Sequence, residues 1–410
     1  MSQKTVVFVE SSCVGAGYLA AAAIELGYSP LFLTSPSFSQ GDTRANIVKH
    51  RFIECDTSSV EAMQAALTRE IDLREVEFVT SFADTCLGLA SNLARRLSVR
   101  GLGEVVDALK DKGAVYNWVP EYSPPSVVFS ARDIPEGAIR ELLAHGPIMV
   151  KGRRSSGGLG AFVLRSPDEV GKLGQLMASS TIPGHLAPDL WIAQAFVDGK
   201  LVSLEGYVSG GRPEFLGFSG RKKVGMSESI IMFPWEEGLT QAAMDRAKEA
   251  ITTLVKRSGF DNGYFHVEFM CKDDKAYIID ANMGRIGGGG LGQQFALAFG
   301  TTPEAVHRHA LELELTGKPL STKSPYKGAP RPTSSVMYGV PVQATIQDVK
   351  LPETFESFHT RILDHHQVVP PMGQDNYAWI GITSGLRGKV ESETSKIEIQ
   401  TDKGRFSATF

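Results

Sequence analysis

Two carboxylates and an amide recur in this chain at a spacing that suits a divalent cation. The stretch Gly263-Tyr264-Phe265-His266-Val267-Glu268-Phe269 and the stretch Ala276-Tyr277-Ile278-Ile279-Asp280-Ala281-Asn282 flank a turn-rich Lys272-Asp273-Asp274-Lys275. Each flank alternates apolar and polar residues with a period of two, which predicts a β-hairpin. A three-residue connection, Asp273-Asp274-Lys275, sets Glu268 opposite Asp280 and places His266, Glu268, Asp280 and Asn282 on one face. With no basic residue between them, such groups repel one another. As hard oxygen donors they suit Mg²⁺ (or Mn²⁺), commonly held by one or two carboxylates and a substrate's phosphates. Glu268, Asp280 and Asn282 are therefore the candidate metal ligands. His266 has two readings, a satisfied structural histidine or a catalytic group.

Lys151 closes an apolar stretch, Pro147-Ile148-Met149-Val150, and precedes Gly152-Arg153-Arg154-Ser155-Ser156-Gly157-Gly158-Leu159-Gly160. A lysine at a strand end before a Ser/Gly loop offers an ammonium and free N–H groups to a phosphate. The lysine precedes the glycines, so this is no Walker A loop; the plainer reading is an exposed loop with two arginines. Val14-Gly15-Ala16-Gly17-Tyr18-Leu19-Ala20 fits the dinucleotide fingerprint. The second strand ends Phe32-Leu33-Thr34-Ser35 with no acid for a ribose, so neither a nicotinamide nor a flavin cofactor is expected. Gly287–Gly290, just after the metal candidates, reads as a close-approach loop.

Strands over 4–10, 30–34 and 77–81 alternate with helices over 17–27 and 84–97, which predicts a doubly wound parallel sheet. Pro120, Pro124 and Pro125 mark a linker. Strands are expected at 147–151, 161–164, 191–197 and 201–208, with helices over 240–258 and 303–315. The 333–410 tail reads as a small β-rich unit. The 410 residues imply several domains. A net charge of −4 gives no reason to expect nucleic acid or an anionic membrane as partner. Four scattered cysteines, with no signal-like or membrane-length apolar run, point to the cytoplasm.

In this order the motifs resemble the ATP-grasp superfamily of carboxylate–amine ligases, over residues 1 to about 320. Asp111-Lys112 looks like its first ATP-contacting lysine and Lys151 like the second. Ser155, Ser156, Gly157 and Gly158 look like its phosphate-covering loop. Gln194-Ala195-Phe196-Val197 resembles the hinge strand whose backbone reads adenine, and Ser203-Leu204-Glu205 a Ser-Val-Glu strand. Glu268, Asp280 and Asn282 match the Mg²⁺ ligands within Glu-x-Asn-x-Arg, with the arginine one residue late at Arg285. The glycine-rich end and the Ser-x-Glu strand look most like L-amino acid ligases of the bacilysin-synthetase type.

The resemblance implies an α/β ATP-grasp fold: a Rossmann-like domain over 1–105, a lid over 106–190, a metal-bearing subdomain over 191–320 and a β-rich unit over 321–410. It implies ATP and Mg²⁺ as cofactors, Lys151, Arg285, Glu205 and His266 as catalytic candidates, and small-molecule carboxylate and amine substrates. A homodimer is among the assemblies it allows. An ATP-grasp carboxylase or purine-pathway ligase and a non-catalytic ATP-binding regulator are the other readings. Gly284 is expected to form a bulge that returns Arg285 to the Glu268–Asp280 cleft.

Overall fold

The computed structural model describes residues 4–11, 14–36, 40–155, 160–179, 188–316, 324–374 and 378–410. Five parallel strands open the chain, in the order Arg51–Glu54, Ser29–Thr34, Thr5–Val9, Val76–Thr80, Arg100–Gly101. The order reverses between Thr5–Val9 and Val76–Thr80, and ligands of doubly wound sheets sit at the strand ends beside such a reversal. Near-continuous apolar strands such as Thr5–Val9, all buried, are what helices on both faces require.

A second sheet of four antiparallel strands, in the order Ser126–Ser130, Leu190–Ala195, Ile148–Gly152, Phe162–Leu164, carries Lys151 near a strand end. The strand expected to run to Val197 stops at Ala195. The next strand, Lys200–Ser209, belongs to a different sheet, so Asp198-Gly199 crosses between sheets instead of closing a hairpin.

That third sheet has eight strands, in the order Lys275–Met283, Asn262–Lys272, Lys200–Ser209, Arg212–Val224, Ser227–Phe233, Thr333–Tyr338, Gly381–Leu386, Phe358–Arg361. Its last three strands come from the C-terminal segment, which also forms a four-stranded sheet around Ala344–Lys350. The helix Gln241–Ser258 covers one face of the long sheet. The Thr240 hydroxyl caps its start and Gly259, at φ +74°, ends it. Its Ala247, Ile251 and Leu254 pack on Val202, Leu204, Val267, Phe269, Ala276, Ile278, Ala281 and Met283, all fully or nearly fully buried. Each large apolar side chain so covered contributes roughly 1.5–3 kcal/mol. The opposite face is left for polar side chains. Among the described residues no helix is long and apolar enough to cross a membrane.

Candidate functional site

The hairpin forms, and Glu268 pairs with Asp280 and His266 with Asn282. The connection differs from the three-residue one expected. Lys272 pairs with Lys275 across a two-residue turn, Asp273-Asp274, with Asp273 at φ 51°. The register then shifts between Glu268 and Phe269, leaving Ile279 as a bulge. The reason is packing. Without the shift, Ala276 and Ile278 would share a face with Asp280 and Asn282. The extra residue lets the first pair enter the core while the second faces the cleft.

The bulge also frees a carbonyl. Ile279 O accepts from Lys151 Nζ at 3.0 Å and from the Tyr116 hydroxyl at 3.1 Å. Tyr116 reaches Gln194 Oε1 at 2.9 Å as well. Lys151, Gln194 and the metal-candidate strand thus meet around one buried phenol. Burial, with Lys112 nearby, depresses the Lys151 ammonium to about 7, against the pull of Asp280 and Glu268.

The polar face carries more positive charge than the hairpin alone suggested. Glu268 Oε1 lies 2.8 Å from Arg221 Nη1, which also holds Glu228 Oε1 at 2.8 Å. Asp280 Oδ1 lies 3.1 Å from Lys112 Nζ, and Asn282 Oδ1 accepts from Lys110 Nζ at 2.9 Å. Burial would raise the Glu268 carboxyl, but Arg221 and His266 outweigh it and hold it well below the usual carboxylate range. The fully buried Glu205 accepts from Ser219 Oγ at 2.6 Å and faces His266 Nδ1 at 2.8 Å. Burial lowers the imidazole's basicity, yet Glu205 outweighs it and raises the ring's affinity for a second proton. Arg221 Nη2 opposes this from 2.6 Å, where Nε2 must be the acceptor. In this geometry the proton sits on Nδ1 toward Glu205, and a second can bind when Arg221 moves away.

Arg285 does not reach the Glu268–Asp280 cleft. Gly284 does make the expected turn, at φ +92°. The guanidinium then bonds Asp84 Oδ1, from Nε at 3.0 Å and Nη2 at 2.7 Å, and so joins the metal-candidate strand to the N-terminal sheet. Asp84 also holds Lys110, which reaches Asn282. The wish of a buried carboxylate for counter-charges decides where Arg285 points. Burial raises Asp84, but Arg285 and Lys110 hold it far below the usual range.

The hinge residues are also more committed than their pattern implied. Ala195 N–H donates to Pro125 O at 2.8 Å and Phe196 N–H to Pro147 O at 2.9 Å, so neither N–H is open to an adenine here. Val197 is the first residue past those bonds. Ser155 turns back on Gly152 O, and its carbonyl accepts from Lys112 Nζ at 2.6 Å. Ser156, Gly157 and Gly158 lie outside the described residues. The two loop arginines are tethered, Arg153 to Asp111 and Arg154 to Asp107.

Among the described residues no three of His, Cys, Asp and Glu converge as a ready metal site. The donor set that fits Mg²⁺ is Glu268, Asp280 and the Asn282 amide, presented side by side from one hairpin. Each is matched by a cation arriving from another element, so a metal here would exchange with those cations. Beside this face lies a small cavity of about 30 Å³, partly open, lined by Val14, Phe82, residues 286–292 and His307. Sequence reasoning missed Arg221 as a partner of Glu268, and missed Tyr116, Lys110, Asp84 and His307. For Arg221 there was a signal, a basic residue in an alternating stretch, but its pairing is long-range.

No protein-family model matches the chain, and no curated protein sequence does. Solved structures do. An L-amino acid ligase from Bacillus licheniformis superposes with a TM-score of 0.72 over 97% of this chain and 99% of its own, at 15% identity. Phosphoribosylglycinamide synthetase from Anaerococcus prevotii gives 0.70 over 97% and 99%, at 15% identity. The biotin carboxylase domain of a Hydrogenobacter thermophilus 2-oxoglutarate carboxylase, solved with MgADP and bicarbonate, gives 0.71 over 98% and 92%, at 14% identity. At such identities the likeness speaks for architecture. Superposed along nearly its whole length on these chains, the protein has the ATP-grasp fold.

Proposed function

We propose that the protein is an ATP-dependent carboxylate–amine ligase joining amino acids or amino-acid-like substrates through an acylphosphate, with release of ADP and phosphate. The observation that carries this reading is the cross-strand pair Glu268–Asp280, with Asn282 beside it, facing Lys112 and Lys151. A carboxylate is a poor electrophile, and phosphorylation activates it for attack by an amine. The protein must surround the shared charge of the phosphoryl oxygens with cations and hold them in place. Lys151 and Lys112 enter from the neighbouring elements for that role, and Arg221 supplies a third charge. Mg²⁺, when bound by Glu268, Asp280 and Asn282, would supply the remaining neutralisation of the phosphates. Glu205 and Ser219 hold His266 in place, so the imidazole can take a proton at Nε2 once Arg221 turns to the phosphates.

The test is product analysis with purified protein, ATP, Mg²⁺ and free amino acids offered pairwise. ADP and phosphate are expected in equal amounts, with a dipeptide. AMP and pyrophosphate as products would overturn the acylphosphate route.

A further inference from the structure

Lys151 is held unlike the other cations of the cleft. Lys112 has Asp280, Arg221 has Glu268 and Glu228, and Lys110 and Arg285 share Asp84. Among the described residues Lys151 makes no ion pair. Its Nζ donates to Ile279 O at 3.0 Å and stands 3.5 Å from the Tyr116 hydroxyl oxygen. A lysine resting on a neutral carbonyl is drawn to phosphates more readily than one paired with a carboxylate. Its departure, however, takes away the donor that the carbonyl had.

Tyr116 is placed to cover that loss. The short helix Lys112–Trp118 carries Lys112 and Tyr116 one turn apart, and both meet the strand Lys275–Met283, Lys112 at Asp280 and Tyr116 at Ile279. The phenol is 5% exposed and lies 2.9 Å from Gln194 Oε1 and 3.1 Å from Ile279 O. A hydroxyl has one proton, so it serves one of these acceptors at a time. While Lys151 supplies Ile279 O, the phenol proton is left for Gln194. Burial, reinforced by Asp280 and Glu268, raises the phenol well above its ordinary value and keeps it protonated.

We propose that Tyr116 is a positioning residue that lets Lys151 pass from its resting carbonyl to the phosphates of ATP. As Lys151 leaves, rotation about the phenol C–O bond turns the proton from Gln194 Oε1 to Ile279 O. The side of the phenol oxygen that faced the ammonium is then free to accept, and the Gln194 amide, turned over, donates Nε2 to it. Each group keeps a partner in both states, so no acceptor is stripped of its donor when ATP binds. This exchange rests on the ligase reading above, in which Lys151 meets the phosphates.

The test is a double-mutant cycle of ATP affinity, measured by calorimetry with Mg²⁺ and without amino acids, in the wild type, Tyr116→Phe, Lys151→Met and the double variant. Tyr116→Phe should weaken ATP about tenfold against the wild type, the scale of one acceptor left unsatisfied. In the Lys151→Met background, where no lysine has to leave the carbonyl, the same change should weaken ATP by less than about twofold. A phenol that only supports the fold would weaken both backgrounds by the same factor; that result, or an unchanged affinity in Tyr116→Phe, overturns the proposal. Infrared difference spectra with ring-labelled tyrosine, at saturating ATP, follow the phenol itself. ATP should shift a tyrosine C–O band in the wild type and leave it in place in Lys151→Met. Absence of a Lys151-dependent shift overturns the proposal, including the case in which Tyr116→Phe does not fold. If the wild type binds no ATP, the ligase reading falls and the exchange with it. If both tests succeed but no pair of amino acids drives ADP release, the exchange at Tyr116 stands and the ligase reading falls.

Discussion

On the open face of the long sheet, Glu228 and Glu268 share Arg221, Asp280 is met by Lys112 and Glu205 by His266. At the strand ends of the parallel sheet the buried acids are treated otherwise. Glu10 accepts from Thr34 Oγ1, Ser35 N–H and Thr57 Oγ1 at 2.6–2.8 Å, and Glu314 accepts from Thr80 Oγ1 at 2.7 Å. An acid held by hydroxyls and backbone N–H groups is satisfied in place. A carboxylate held by a mobile lysine or arginine can exchange that partner for a metal or a phosphate-bound cation. The difference separates acids that serve architecture from acids poised for a ligand.

The largest expected effect tests that separation directly. Glu268→Ala and Lys151→Ala should each lower ATP turnover by about two orders of magnitude or more, the scale seen when one preorganised charge partner is removed. Both should stay folded, with the loss in Glu268→Ala limited because Arg221 keeps Glu228 as a partner. Near-normal turnover in Glu268→Ala would remove the hairpin from the site.

The pairing of Glu268 with Asp280 was legible because a strand's period of two leaves few registers that keep the acids together. The route to it was not. A three-residue connection and a two-residue turn with a bulge give the same pairing at Glu268, and differ only in where Ala276 and Ile278 point. The adjacent Ile278-Ile279 breaks the alternation and marks the place. The helix Leu291–Phe299 was masked by its glycines, although Leu291, Phe295 and Phe299 already lay on one face. Arg285 was misplaced for a different reason. Its turn at Gly284 is local and readable, but its destination, Asp84, lies two hundred residues upstream and is chosen by burial. Arg221 and Lys110 reach their partners in the same long-range way, which no local pattern records.

Asp84 is the intermediate case, an acid with two cations that joins the end of the parallel sheet to the metal-candidate strand. Asp84→Asn keeps its shape and removes its charge, leaving Arg285 and Lys110 uncompensated in a mostly buried junction. A loss of roughly 2–3 kcal/mol is expected, toward the lower end for a broken buried pair because the carboxylate keeps some exposure. Denaturant midpoints at constant slope measure it. A loss below about 0.5 kcal/mol would place the junction among ordinary surface pairs.

A smaller effect concerns Lys151, whose ammonium is depressed to about 7 by burial and by Lys112. In the free protein it is largely neutral at pH 8. The phosphates of ATP should raise it again, so nucleotide binding should take up close to one proton near pH 8 and none below pH 6. Calorimetry in buffers of differing ionisation enthalpy reads the uptake, with Lys151→Met as the blank. Equal uptake in the two proteins would mean that Lys151 does not meet the phosphates.

The smallest effect on activity is expected at Glu314, and it tests the other side of the comparison. Burial raises this carboxyl well above its ordinary value, against the weaker pull of the Thr80 hydroxyl. The folded protein therefore holds a proton that the unfolded chain releases above about pH 4.3. Stability is then unaffected by this group at low pH and falls as pH rises toward the folded value, because the native state binds more protons than the unfolded one. Glu314→Gln keeps the shape without the proton. It should match wild-type stability near pH 4, exceed it at pH 7–8, and leave turnover within about twofold. Thermal melts at the two pH values decide the first point. A variant that loses turnover by tenfold while gaining stability would show that a hydroxyl-held acid also serves the site, and would erase the distinction between the two regions.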